Sequence, residues 1–588
     1  MFLGKSLLVL GLLQASFGHA YQDNDEPQTV LSDQAVKRVA IIGAGAGGAS
    51  AAYHLDKYAQ VAGIKANITV FERSSHVGGR STTVNVFDDL SEPVELGASI
   101  FVKVNKILVT AAEELGLTVS SADLHRPKES SSQLGVWDGE RIVFSQDDNG
   151  YSWWNIAKLL WKYGWAPIRT QNLMQEIVGK FLKMYDEPYF PWQSLSQVSY
   201  DLGLTAVTSE TGAQFLESKN ILPPFSTEII QASTRVNYAQ NLPFIHGLET
   251  MVCMATDGAM AVQGGNWRIF DGMIKAAHAQ VKLDTKVTDV IYQHDGTYVI
   301  SSASSPSSLS KDFATEPEDT INETFDTVIL ATPLQFSNIN LDAPLIEKRP
   351  DKIPYVTLHV TLLSSPHRLS AEAFNLPAGS SSVPEIILTT LPKETKPEER
   401  AAGVGPAGFF SISTLRSVRN HAVDPPRKEY LYKIFSPHPV NATFLGHILG
   451  LSEPPVLPDP PVSQDVSEDE VQEGSTAKPA VTAAQPSGDV TWIYRKAWHS
   501  YPYLYPRVTF DEPLLGNSLY YTSGIESFIS TMETSALAGM NVARLLADSW
   551  LGKTPSSSSS SSPPSSADHK DAVTQDAASS KKTVAAEL

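Results

Sequence analysis

The sequence predicts an α/β protein: a Rossmann-type nucleotide-binding domain and a second, α+β domain of mixed sheet and helices, both discontinuous in sequence. Three observations predict this. Arg38 to Leu55, RVAIIGAGAGGASAAYHL, reads as a short apolar strand, a glycine-rich turn and the start of a helix. Ser518 to Glu526, followed by a helix from about Thr531 to Trp550, repeats that order near the other end. Between them, residues 340–450 carry alternating patterns such as Val356 to Leu362, the mark of antiparallel strands, joined by Pro-rich connections.

In the first unit, Val39 to Ile42 has the length and β-branched content of a buried parallel strand, and Gly43 to Gly48 fits G-x-G-x-x-G. Gly43 allows a tight turn, Gly45 lets the backbone approach a pyrophosphate, and Gly48 lets the helix pack closely on the strand. Phosphates would lie at the helix N-terminus, where unpaired N–H groups and the helix dipole favour negative charge. A second strand, Ile68 to Phe71, ends in Glu72 at a spacing suited to a βαβ unit, where a carboxylate can accept from ribose hydroxyls. Arg73 opens a second glycine turn ending in Gly78-Gly79-Arg80, whose arginine suits an anionic phosphate. Two glycine turns imply an extended dinucleotide. Gly97 and Ala98 are small enough for a flat ring to lie against the backbone, and a helix from Asn105 to Leu115 follows.

From Gly150 to about Tyr185 the pattern is helical, with Trp153, Trp154, Ala157, Leu160 and Trp161 recurring while Lys158 and Lys162 share another face. Such a stripe suits core or lid packing, with contact at a membrane surface as the alternative. Leu216 to Glu249 reads as short helices broken at Pro223-Pro224. A helix from about Ile269 to Gln280, a strand Lys286 to Tyr292 and a buried strand Phe325 to Thr332 return to the nucleotide domain, around a Ser-rich loop from Ser301 to Asp319. Glu453 to Asp489 and the Ser556 to Ser562 run with its polar tail have no core-forming pattern and read as disordered.

A chain of 588 residues supports two to four domains, and its formal charge of -19 argues against a nucleic-acid binder. Lys5, the apolar run Leu7 to Leu13, and Gly18 and Ala20 around His19 have the layout of a secretory signal peptide cleaved after Ala20. Sequons at Asn67, Asn322 and Asn441 fit a glycoprotein. The single cysteine, Cys253, allows no intrachain disulfide and suits apolar packing. No Ser-His-Asp set, metal-ligand cluster or paired-carboxylate motif is legible, so no metal site is expected.

The blocks IIGAGAGGASAAYHL, VFERSSHVGGR, ELGASIFV, RVNYAQN, GAMAVQGGN, EYLYKIFS and LYYTSGIESFISTMETSALAGMNVARLL together resemble the prenylcysteine oxidase (prenylcysteine lyase) family, within the amine-oxidase-like flavoproteins. The resemblance implies FAD as cofactor and farnesyl- or geranylgeranyl-cysteine as substrate, cleaved with O₂ to a prenyl aldehyde, cysteine and hydrogen peroxide in a lysosome-like vacuole, while the leader alone permits secretion. It implies FAD-binding segments at 36–130, 261–339 and 515–552 and substrate-domain segments at 131–260 and 340–514. The insertion 453–489 and the tail 553–588 depart from the family pattern. By position, Gly43, Gly45 and Gly48 would hold the pyrophosphate, Glu72 the adenosine ribose, and Arg80 a second phosphate contact. Arg73, Gly79, Gly97 and Ala98 complete that side, Val287 would present its backbone to adenine, Glu526 would bind ribityl hydroxyls, and the helix opening near Met532 would face the flavin pyrimidine. Asn237, Tyr238, Gln240 and His246 are the catalytic, substrate-side candidates, and a prenyl tunnel could have its mouth at Trp153 to Trp165. Two alternatives stay open: a flavin amine oxidase of another small amine, and a non-catalytic prenyl-binding escort.

Overall fold

The computed structural model describes residues 35–121, 132–147, 159–304, 320–342, 346, 349–377, 383–457 and 488–553. The leader, Trp153, Trp154, Ala157, Lys158, most of the Ser-rich loop, most of the acidic insertion and the tail lie outside the described residues.

The nucleotide domain is built on a six-stranded sheet in the order Leu514–Gly516, Leu519–Tyr521, Thr327–Leu330, Lys37–Ile42, Ala66–Phe71 and Gln280–Lys282. All its pairings are parallel except the hairpin at the Leu514 edge. Both faces are covered, which is why these strands read as continuous apolar runs. Val39, Ile41, Val70 and Ile329 pack toward helices Ala46–Ala62, Trp267–Ala276 and Met532–Trp550. Ala40, Ile42, Phe71, Val328 and Leu330 pack toward Val287, Val290, Tyr298 and Ile300 of a four-stranded sheet. That sheet runs Ile321–Phe325, Tyr298–Ser304, Thr285–Tyr292 and Asn340–Leu341.

Two expectations are corrected here. Ser301 to Ser304 belong to a strand rather than to a loop. The stretch Phe325 to Thr332 is divided between two sheets at Asp326, whose carboxylate accepts from the Arg38 backbone at 2.7 Å and pairs with its guanidinium at 2.6 Å.

The second domain is a seven-stranded sheet in the order Trp492–Pro502, Tyr355–Ser365, Arg427–Ser436, Ser411–Asn420, Ile386–Thr389, Ser132–Trp137 and Ile142–Asp147. It is antiparallel except where Ile386–Thr389 runs parallel to Ser132–Trp137, so the sheet is mixed. One face, with Leu363, Tyr432, Ile434 and Ile493, forms a core with helix Ala442–Leu449. The opposite face carries Leu358, Val360, Leu362, Tyr494 and Trp498.

The expected helix from Gly150 to Tyr185 is broken within its described part. Gly164, with φ +59°, ends one turn before Ala166–Phe181 begins with Pro167 in its first turn, where a missing N–H costs nothing. Trp161 is 91% exposed and Trp165 66%, so neither packs into the core. Among the described residues no helix is long and apolar enough to cross a membrane.

The closest helix contact joins Ala46–Ala62 to Met532–Trp550. A Cβ on Gly539 would stand 2.2 Å from the Gly47 carbonyl oxygen, and one on Gly47 would stand 2.8 Å from Thr522 Oγ1. Gly539→Ala should therefore destabilise by about 1–3 kcal/mol, because backbone has to move. Gly179, exposed in Ala166–Phe181 with open space within 4 Å of where a methyl group would stand, should respond oppositely. Gly179→Ala should stabilise by about 0.5–1 kcal/mol through the unfolded chain's lost freedom. Thermal melts of both variants, moving in opposite directions from wild type, check this.

Candidate active site

A single cavity of about 2800 Å³ runs between the nucleotide sheet and the apolar face of the seven-stranded sheet. Its nucleotide end is made by two glycine turns placed back to back. Gly43 takes φ +109° and a Cβ there would meet the Ala331 carbonyl at 2.6 Å; Gly79 takes φ +59° and lies against Gly45. Gly45 is the N-cap of Ala46–Ala62 and supplies no side-chain cap, and no acid stands in that helix's first turn. The first N–H groups of the helix thus meet the cavity wall formed by Gly45, Ala46 and Gly47 without competing negative charge.

Glu72 is buried at this end and organises the loop. One carboxylate oxygen accepts from Ala44 N–H at 2.9 Å; the other accepts from Ser74 N–H at 2.9 Å and the Ser74 hydroxyl at 2.6 Å. A carboxylate has about four acceptor positions. Three are used, which leaves Oε2 able to take one further donor from the cavity that Glu72 lines. Val287 also lines the cavity, just before a bulge in its strand, and the strand Asn340–Leu341 pairs only with Asp289 and Val290. Among the described residues, that edge of the strand carries no ladder partner at Val287. These features fit a dinucleotide: a diphosphate cradle without side chains, a carboxylate with spare acceptor capacity and an open strand edge.

Gly43, Gly45, Glu72, Arg73, Gly79, Arg80, Gly97, Ala98, Val287, Glu526, Met532, Asn237 and Tyr238 all line the one cavity. Gly48 does not. A Cβ at Gly48 would stand 1.9 Å from the Gly43 carbonyl oxygen, so this glycine packs helix on turn. Arg80 lines the cavity while pairing with Glu526 at 2.6 Å and donating to the Ser500 carbonyl at 2.9 Å. Glu526 in turn accepts from the Tyr355 hydroxyl at 3.1 Å, forming an Arg80–Glu526–Tyr355 network whose two inner members are buried. The guanidinium of Arg73 donates to the Phe336 carbonyl. On Gly97 a flat ring does lie, that of Trp498, which a Cβ would meet at 2.9 Å. Ala98 takes the left-handed φ of 51° and its carbonyl accepts from Asn266.

Of the substrate-side candidates, two leave the site. Gln240 is buried and occupied by backbone, donating to Tyr238 and Pro502 carbonyls and accepting from Leu504 N–H. His246 is buried outside the cavity, where Nδ1 accepts from Glu249 N–H as the N-cap of Gly247–Val252. Burial pulls its imidazole down to about 3, so it is neutral at ordinary pH, and with Nδ1 accepting, its one proton sits on Nε2. Asn237 and Tyr238 stay: the Asn237 amide donates to Ser233, and the Tyr238 hydroxyl donates to the Ser530 carbonyl at 3.0 Å. Cys253 lines the cavity as a buried thiol, pushed well above its ordinary value by burial and by Glu249, hence unreactive as a nucleophile.

Sequence reasoning missed several wall residues. Glu533 lies in the first turn of Met532–Trp550 and caps a different helix, accepting from Ile107 and Leu108 N–H at 2.8 and 3.0 Å and from the Tyr185 hydroxyl. Lys433 lines the cavity from the strand Arg427–Ser436, and its signal was legible: one cation in the apolar run Tyr430 to Phe435. Residues 153–158 of the expected Trp153 to Trp165 mouth lie outside the described residues, whereas Leu108, Val178, Phe181, Leu182, Val236 and Val252 line an apolar arm of the cavity, a wall suited to a hydrocarbon chain. Trp161 and Trp165 do not line it.

Burial raises the Glu249 carboxyl to about 7, against the lowering effect of the Tyr238 hydroxyl and the Ser530 N–H. The folded chain therefore holds this proton where the unfolded chain does not. That contribution to stability is complete below the unfolded carboxyl range and is lost as pH rises through about 7. Glu249→Gln keeps the neutral form, so its melting temperature should fall less than wild type's between about pH 5 and about pH 7.5. Equal slopes in melts across that range would exclude Glu249 as the titrating group.

Comparison with known proteins places this geometry. The prenylcysteine lyase family matches residues 146–559, and the NAD(P)-binding Rossmann-like domain matches residues 41–113. Farnesylcysteine lyase from Arabidopsis thaliana is 27% identical over 560 residues, 92% of this chain and 94% of that protein. Prenylcysteine oxidase 1 from Bos taurus is 27% identical over 534 residues, 88% of this chain and 90% of that protein. Among solved structures, cyclohexylamine oxidase from Brevibacterium oxydans superposes with a TM-score of 0.49 at 13% identity, over 88% of this chain and 99% of that one. The match of the family over most of the sequence is decisive: the chain belongs to the prenylcysteine lyase family.

Proposed function

We propose that this protein is an FAD-dependent oxidase that cleaves the thioether of prenylcysteine, farnesyl- or geranylgeranyl-cysteine, with O₂ and water to a prenyl aldehyde, cysteine and hydrogen peroxide. The observation that carries the proposal is the continuity of one cavity from the dinucleotide cradle to an apolar arm, in a chain of this family. Small-molecule sites commonly enclose about 300–1,000 Å³. The 2800 Å³ here has room for a dinucleotide and a long apolar substrate together.

FAD, when bound, supplies acceptance of two electrons from the carbon beside sulfur and their return to O₂. The helix end at Gly45 to Gly47 would hold its diphosphate, Glu72 Oε2 an adenosine ribose hydroxyl, and the Val287 edge its adenine. The chain's own part in the reaction is positioning and exclusion of bulk water, with one water admitted to supply the aldehyde oxygen. Leu108, Val178, Phe181 and Leu182 remove the prenyl chain from water, and each buried CH₂ is worth about 0.8 kcal/mol. That energy orients the thioether carbon, since the polar end cannot follow into the apolar arm. Tyr238, rigid through its bond to Ser530 and pushed well above its ordinary value by burial, stays a neutral wall beside a developing cation.

The same proposal extends to location: the N-terminal leader directs the chain into the secretory route, toward a lysosome-like vacuole or the exterior. Glycosylation suits this. Asn67, Asn322 and Asn441 are exposed, and Asn441 caps Ala442–Leu449 through Oδ1, which leaves Nδ2 available to a glycan.

Adding farnesylcysteine to the FAD-loaded protein without O₂ should bleach the flavin absorbance, and admitting O₂ should restore it with release of peroxide. Bleaching by a small amine and none by the thioether would reassign the protein as an amine oxidase, and purified protein that neither contains nor takes up flavin would make it an escort. Glu72→Ala should lower flavin retention by about tenfold or more, since charged hydrogen bonds are worth about 1.5–3 kcal/mol each. Flavin released on denaturation, measured per mole of protein, reads this directly.

A further inference from the structure

The cavity has a third arm that neither the dinucleotide nor a hydrocarbon chain explains. It lies over the seven-stranded sheet, where Ser413, Lys433, Leu362 and Tyr494 stand directly opposite one another on four adjacent strands and so share one face. Ser411, Phe435, Val360 and Lys496 form the next row on the same face. Lysine is unexpected in the middle of a sheet, where burial disfavours its charge. Here Lys433 is only 7% exposed, yet its ammonium is built in: Nζ donates to the Glu95 carbonyl at 2.8 Å and to Ser99 Oγ at 2.8 Å. An ammonium has three donors. Among the described residues the third has no acceptor, and Lys433 lines the cavity.

The surroundings select the sign of the ligand. Lys496 shares the face of Lys433 and also lines the cavity, whereas the acids that line the cavity, Glu72, Asp284, Glu526 and Glu533, belong to the nucleotide-binding part. The Glu95 carboxyl beside Lys433 accepts from Asn266 N–H, and burial raises it to about 7. Ser413, next to Lys433 across the strand pair, lines the same wall and donates to nothing among the described residues. An ammonium held by two fixed acceptors beside a hydroxyl, under low dielectric, is a receptor for a carboxylate.

We propose that Lys433, assisted by Ser413, anchors the α-carboxylate of the cysteine half of the substrate. This rests on the thioether-oxidase function proposed above and adds its polar determinant. The apolar arm binds the prenyl chain and the Lys433 arm binds the amino-acid end, so the thioether is stretched between two anchors. The protein then selects a free amino acid over a C-terminally blocked one, and a hydrolytic step that frees the carboxylate has to come before it.

The test compares S-farnesylcysteine with its methyl ester on FAD-loaded wild type, Lys433→Met and Lys433→Arg, with flavin content measured for each. In wild type the KM for the ester should exceed that for the acid by about tenfold or more. In Lys433→Met that ratio should collapse toward one through a rise in KM for the acid, and Lys433→Arg should restore part of it. Unequal substrates with an unchanged ratio in Lys433→Met would overturn the assignment while leaving the oxidase function standing. Loss of flavin from Lys433→Met would overturn it too, by moving the lysine to the cofactor. Wild type that oxidises neither thioether would remove the function and the anchor together. If Lys433→Met fails to fold, Ser413→Ala and Lys433→Arg carry the comparison, and a wild-type ratio in both would count against the anchor.

Discussion

The absence of side chains along one seam governs the rest of this molecule. Gly43 turns under the Ala331 carbonyl, Gly48 lies on the Gly43 carbonyl, and Gly539 lies on the Gly47 carbonyl. Backbone faces backbone at each point, so the first helix is held closely against both the sheet and the last helix. Both helices therefore begin at the same cavity, and their N-termini bring partial positive charge to it from two directions. Any methyl group in the seam would open it and pull those ends apart.

The carboxylates around the cavity divide labour by geometry rather than by residue type. Glu72 fixes the first turn to the second by accepting from Ala44 and Ser74, and Glu533 fixes the last helix to the helix at Lys106–Glu114. Glu526 neutralises Arg80 and receives Tyr355. Each links segments far apart in sequence, and each does so with backbone N–H groups or a buried partner that water cannot replace. The cavity is thereby lined by groups whose positions are already decided before a ligand arrives, which is what a reaction governed by orientation requires.

Much of this was legible in the sequence, and the reasons are local. The strand Val39 to Ile42, the glycine turns, Glu72 and the closing helix follow from propensity, period and backbone freedom, all of which act over a few residues. What was not legible depends on pairing between distant segments. Nothing near Arg80 announces that its partner is Glu526, and nothing near Gly97 announces that Trp498 will lie on it. His246 and Gln240 sit in a block rich in polar residues, but their polar atoms are consumed by a helix cap and by backbone of the 502–504 segment. The tryptophans at 161 and 165 stand at helical spacing, yet both face solvent, on either side of the break at Gly164.

The sheet that holds the dinucleotide cradle takes one strand from residues 37–42 and another, two places along, from residues 519–521, with the helix that completes the wall ending at Trp550. A ribosome delivers about 5–20 residues each second. The first glycine turn therefore waits on the order of half a minute or longer before its last wall exists, with the whole substrate domain made in the interval. Cofactor capture is consequently an event of the finished chain, and a truncation anywhere before that final helix forfeits the cofactor site even though every glycine of the first turn has already been made.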